Sequence, residues 1–111
     1  MEYSKYIDPL ILPAVEILNR HGFDTFESCQ GGEGHGYPEP TVRFNGSEFD
    51  LIRAYEICKC YNLTVLAAKR VFRKTEVYKN DATSIGIVWD NPFNEITFVI
   101  HSKTGTIYLP C

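Results

Sequence analysis

The chain has 111 residues, 44% of them hydrophobic, and a formal net charge of −3. That length suits one domain, residues 1–111, with a single core burying roughly two thirds of the unfolded surface, and it argues against two independent cores. The acidic balance argues against general nucleic-acid binding, which needs a basic surface to displace counterions.

No run reaches the roughly 18–20 apolar residues of a membrane helix, and the first five residues lack the apolar stretch of a secretory signal. A cytoplasmic location away from membranes is therefore expected. Cys29, Cys58, Cys60 and Cys111 are few and irregularly spaced, so they are expected to be free thiols in a reducing compartment.

The first helix opens at Asp8-Pro9 or Leu12-Pro13 and ends at Asn19-Arg20-His21-Gly22, with the glycine in a left-handed cap and Phe23 folding back. Residues 23–29 read as a strand, 30–40 as a loop with four glycines and two prolines, and 41–44 as the next strand. Ser47 and Asp50 start a second helix that runs to about Tyr61 and stops at Asn62.

Residues 64–68 read as turn or helix, 69–78 as a strand, 79–83 as a turn and 85–89 as a strand. Asp90-Asn91-Pro92 is turn chemistry, and residues 95–101 and 106–109 around Lys103-Thr104-Gly105 predict a terminal hairpin. The fold class is thus α+β. Its order is α-β-β-α followed by a β-rich half, with two helices on a mixed or antiparallel sheet.

Charge is segregated along the chain. Residues 23–50 carry Asp24, Glu27, Glu33, Glu39, Glu48 and Asp50 against Arg43 alone. Residues 53–79 carry Arg53, Lys59, Lys69, Arg70, Arg73, Lys74 and Lys79 against Glu56 and Glu76. Local neutralisation between the two segments is the simpler reading, and a basic patch for an anionic ligand is the sharper one.

The loop of residues 30–40 is long for so small a domain, and such loops are often functional, which centres the chemistry on Glu27-Ser28-Cys29-Gln30-Gly31-Gly32-Glu33-Gly34-His35-Gly36. Glycine-rich backbone can cradle an anion, although these glycines match neither the phosphate-binding loop nor the dinucleotide fingerprint. The expected ligand set is Ser28, Cys29, Gln30, Gly31, Gly32 and His35, with Tyr37 as a stacking surface and Arg43 as the anion's partner. Arg43 could instead pair with Glu27 or Glu39 across the strands.

The residues Leu18-Asn19, Gly22-Phe23-Asp24-Thr25, Ser28-Cys29-Gln30-Gly31, His35 and Glu39-Pro40-Thr41-Val42 carry an LN-x-x-G-ϕ-x-T-x-x-SC-x-G signature with a nearby histidine. Over residues 18–46 this resembles a group of small, mostly uncharacterised phage, prophage and bacterial proteins. The resemblance implies a phage or mobile-element accessory protein acting on host machinery or nucleotide signals. An SC-x-G turn after a strand is also similar to a tRNA wybutosine-synthesis methyltransferase family, but that family's arginine after the glycine is missing and its activity is not carried over.

The preferred function is binding of an anionic, nucleotide-like small molecule at the loop, with no cofactor and no metal. One alternative is an enzyme with Cys29 as thiolate and His35 as base, which leaves the question of catalysis open. Another is an inhibitor that binds a host protein; a homo-oligomer is compatible with each. Zinc held by Cys29, His35 and one of Cys58, Cys60 or His101 is disfavoured because paired Cys-x-x-Cys is absent.

Overall fold

The computed structural model describes residues 10–34, 36–78 and 84–99, in the order α1 (Leu12–Arg20), β1 (Asp24–Cys29), β2 (Thr41–Asn45), α2 (Glu48–Cys60), β3 (Val65–Val71), β4 (Lys74–Tyr78), β5 (Ser84–Trp89) and β6 (Phe93–Phe98). The α+β class holds, with antiparallel pairing throughout. The expected terminal hairpin and His101 fall largely outside the described residues, as does His35.

Local chemistry sets both helix ends. Pro13 sits in the first turn of α1, where its missing N–H costs nothing. At the other end Gly22 takes φ +89°, and Gly22 and Phe23 donate their N–H groups to Asn19 O and Leu18 O at 3.0 Å each. This paired closure ends the helix and folds Phe23 onto the core. The end of α2 repeats it: Asn62, at φ +58°, donates to Lys59 O and Leu63 donates to Cys58 O. Its start is a capping box, with Ser47 Oγ accepting from Asp50 N–H at 3.2 Å and Asp50 accepting from Ser47 N–H at 2.8 Å. That bond to the Ser47 backbone holds the Asp50 carboxyl below its ordinary range.

The main sheet has the strand order β1-β2-β6-β3. Both β2 and β3 run antiparallel to β6, so they are parallel to each other with β6 between them, a split β-α-β unit crossed by α2. Val42, Phe44, Ile96 and Phe98 point from this sheet to the helices and meet Ile11, Ala14, Val15, Leu18, Ala54, Cys58 and Leu63. Full burial of a ring such as Phe44 or Phe98 contributes about 1.5–3 kcal/mol.

Two boundaries differ from the sequence reading. Residues 65–71 form a strand where turn or helix was expected for 64–68, because pairing with β6 overrides the helical preference of Leu66, Ala67 and Ala68. The single strand expected over 69–78 is two strands in two sheets, broken at Phe72 and Arg73. Among the described residues, β4 and β5 form a separate hairpin that packs chiefly on itself. Among the described residues, no helix is long and apolar enough to cross a membrane.

Candidate functional site

Both helices pack on one side of the sheet; on the other face, among the described residues, Tyr37 of the loop reaches over Arg43 and Glu27. On that face the strand register aligns Glu27, Arg43, Glu95 and Lys69 in one row across all four strands. Arg43 Nε donates to Glu95 Oε1 at 2.8 Å and its terminal nitrogen donates to Glu27 Oε1 at 2.9 Å. Lys69 Nζ lies 3.1 Å from the other Glu95 oxygen. The row alternates in sign and is formally neutral, but its pairs do not join the two segregated segments: Glu27 and Arg43 both lie in residues 23–50, and Lys69 pairs with Glu95, which belongs to neither.

Aromatic rings enclose this row. The Arg43 guanidinium lies 4.8 Å from the Tyr37 ring centre and 5.1 Å from that of Phe93. Phe26 meets Phe93 edge to face, and the Arg73 guanidinium stacks on Phe93 at 5.2 Å. Phe26 is exposed because an irregularity in β1 between Thr25 and Glu27 turns it out of the alternation. Burial opposes the charge on Arg43, but the hydrogen bond it donates to Glu95 and the neighbouring oxygens more than restore it, and its pKa is raised. Tyr37 donates its hydroxyl to Glu27; burial, followed by that bond, pushes the phenol up to about 12.

The residues expected to act together are divided between surfaces. Tyr37 and Arg43 meet on the open face. Cys29, in the next row opposite Thr41, is 7% exposed beneath the loop, and its Sγ accepts from Gly31 N–H at 3.4 Å. Ser28 registers with Val42 on the helix side, and Gln30 Oε1 accepts from Leu10 N–H at 3.3 Å there. Gly31 packs against the backbone of Glu39 and Pro40, and Gly32 N–H donates to Pro38 O at 3.1 Å. The N–H groups of Gly31 and Gly32 are therefore turned into the loop itself, which limits their use as an anion cradle.

Sequence reading missed Glu95 and Phe26, left Phe93 out of the ligand set, and named Lys69 and Arg73 only within a basic patch for an anionic ligand. Alternation offered a signal for two of them, since Phe93, Glu95 and Thr97 oppose Asn94, Ile96 and Phe98 on β6. Among the described residues, no three His, Cys, Asp or Glu side chains gather as metal ligands. No protein family, curated protein or solved structure matches the chain.

Proposed function

We propose that the chain is a cytoplasmic, phage-type accessory protein that binds an anionic, nucleotide-like small molecule without turning it over. The site is the open sheet face where Tyr37 brings the loop onto Arg43. The base lies against Phe26 and Tyr37, and the phosphate meets Arg73 and Lys69. A role in counter-defence or host modulation follows from the resemblance over residues 18–46.

The observation that carries this reading is Arg73. It is exposed and stacked on Phe93, and among the described residues no carboxylate pairs with it, whereas Arg43 is matched by two. A stacked guanidinium with its fork open suits phosphate recognition. Cys29 lies beneath the loop, which counts against its use as a nucleophile.

Calorimetric titration with nucleoside mono- and diphosphates, with inorganic phosphate as the control, tests the proposal. Binding by at least one nucleotide is expected, weakened about tenfold or more by Arg73→Ala and by Tyr37→Ala. Failure of every nucleotide to bind at millimolar concentration, or binding indifferent to Arg73→Ala, overturns it.

A further inference from the structure

Among the described residues, the hairpin of β4 and β5 has little support beyond its own two strands. A lone two-stranded ribbon is marginal in water, yet this one exposes Trp89 (63%), Val88 (54%), Ile87 (52%) and Val77 (37%). Its register places Trp89 beside Lys74 and Ile87 beside Glu76 on one face, with Val88 beside Thr75 on the other. Among the described residues, no strand lies on the outer edge of β4.

The direction of that edge's hydrogen-bonding groups follows from one bond. Asp90 N–H donates to Arg73 O at 2.9 Å, so Arg73 bonds inward to β5. In an antiparallel ladder the bonding residues alternate, so Thr75 also bonds inward while Lys74 and Glu76 turn their N–H and C=O groups outward. A second β4 can bond to this edge only if outward residues oppose outward residues. A twofold axis at Lys74 sets lysine against lysine, and one at Glu76 sets glutamate against glutamate, both unfavourable. An axis at Thr75 sets Lys74 against Glu76 of the second copy twice over.

We propose that the chain forms a twofold homodimer by antiparallel pairing of β4 with β4 of a second copy, centred on Thr75, giving a four-stranded ribbon β5-β4-β4-β5. Charged residues on an edge ordinarily block such pairing, but opposite signs two positions apart make this one register self-complementary. Each row on one face then runs Trp89, Lys74, Glu76, Ile87, with the first two from one copy and the last two from the other. The dimer does not rest on the ligand-binding reading, although Arg73 of that reading directly precedes Lys74.

Sedimentation equilibrium of the full chain under reducing conditions tests the dimer. A monomer–dimer equilibrium in the micromolar range is expected, weakened about tenfold or more by Lys74→Glu or Glu76→Lys alone, since each turns two attractions into repulsions. The double variant Lys74→Glu/Glu76→Lys should return to within about threefold of the parent, because opposite charges again face each other. With Cys60 and Cys111 changed to serine, Thr75→Cys should oxidise to a covalent dimer, since a non-hydrogen-bonded pair brings the two Cα atoms to about 4.5 Å, within disulfide reach. A chain monomeric throughout that range, a dimer indifferent to Lys74→Glu, or single variants not rescued by the double exchange overturns the proposal.

Discussion

Arg43 and Glu95 stand directly opposite each other on β2 and β6, with Nε 2.8 Å from Oε1, and Glu95 is only 5% exposed. The pair lies at the centre of the sheet, and each member has one further partner, Glu27 for Arg43 and Lys69 for Glu95. Removing one member leaves the other shielded from water and half compensated. Glu95→Ala and Arg43→Ala should therefore each cost about 2–3 kcal/mol, below the cost of breaking a fully buried pair. Lys69, at 65% side-chain exposure, should cost less than about 1 kcal/mol as alanine. Urea denaturation of the three variants measures this ordering, and equal small losses would show that the central pair contributes no more than a surface one.

Asn94 is the fully buried polar side chain of β6, and its position explains why an amide stands there. Its Nδ2 donates to Ser47 O at 3.0 Å, while Oδ1 accepts from Arg70 at 2.7 Å; Arg70 also reaches Gly46 O at 2.8 Å. The central strand is thus tied to the turn that starts α2. Asn94→Leu fills the space but leaves the Ser47 carbonyl without its donor and takes from Arg70 one of its two acceptors, so a loss of about 2–3 kcal/mol is expected. Thermal unfolding followed by circular dichroism would detect it, and a neutral result would show that water replaces the amide at little cost.

Gly31 and Gly32 both adopt positive φ, +78° and +96°, but in different surroundings. A Cβ on Gly31 would run into the backbone of Glu39 and Pro40, lying 2.6 Å from Pro40 N, whereas a Cβ on Gly32 meets nothing within 4 Å. Gly32→Ala should cost only the left-handed backbone term of about 1–2 kcal/mol. Gly31→Ala should cost clearly more, because the clash is with main chain and the loop must open. Equal melting temperatures for the two variants would mean that the loop does not close against Pro40.

The helices were legible because their ends are written in adjacent residues: Pro13, Gly22, Ser47, Asp50 and Asn62 act on backbone groups within a few positions. Strand order was not, since nothing in Val65-Leu66-Ala67-Ala68 reveals that β6 will lie beside it. The candidate site divides in the same way. Glu27 was foreseen as a partner of Arg43 because β1 and β2 are neighbours in sequence. Glu95 was missed because it is 52 residues away and reaches Arg43 only through the crossover. The break at Phe72 and Arg73 carries no glycine or proline to mark it.

The cysteines should differ sharply in reactivity. Cys60 is exposed, Cys29 is buried beneath the loop, and burial pushes the Cys58 thiol up to about 12. Alkylation requires both access and thiolate. In a brief iodoacetamide pulse at neutral pH, read by peptide mass spectrometry, Cys60 should label ahead of Cys29, with Cys58 unlabelled until the protein unfolds. Preferential labelling of Cys29 would restore the enzyme reading.

Tyr37 offers a spectroscopic test of how the loop meets the sheet. Its hydroxyl donates to Glu27 and its ring lies over Arg43, and its pKa is raised from 10.0 to about 12, chiefly by burial and then by that bond. A folded value above the unfolded one means that the neutral phenol stabilises the fold fully below about pH 10 and that this contribution is lost as pH rises toward 12. In an alkaline titration of phenolate absorbance on the folded protein, Tyr37 should therefore ionise later than an unperturbed phenol. Tyr37→Phe should remove that late component while leaving the earlier ones. Glu27→Ala should move it to lower pH by removing the acceptor and a nearby negative charge, even though it also frees Arg43 to turn toward solvent. If the late component survives Tyr37→Phe, the loop is not held on the sheet by this contact, and the ligand face would need to be redrawn without Tyr37.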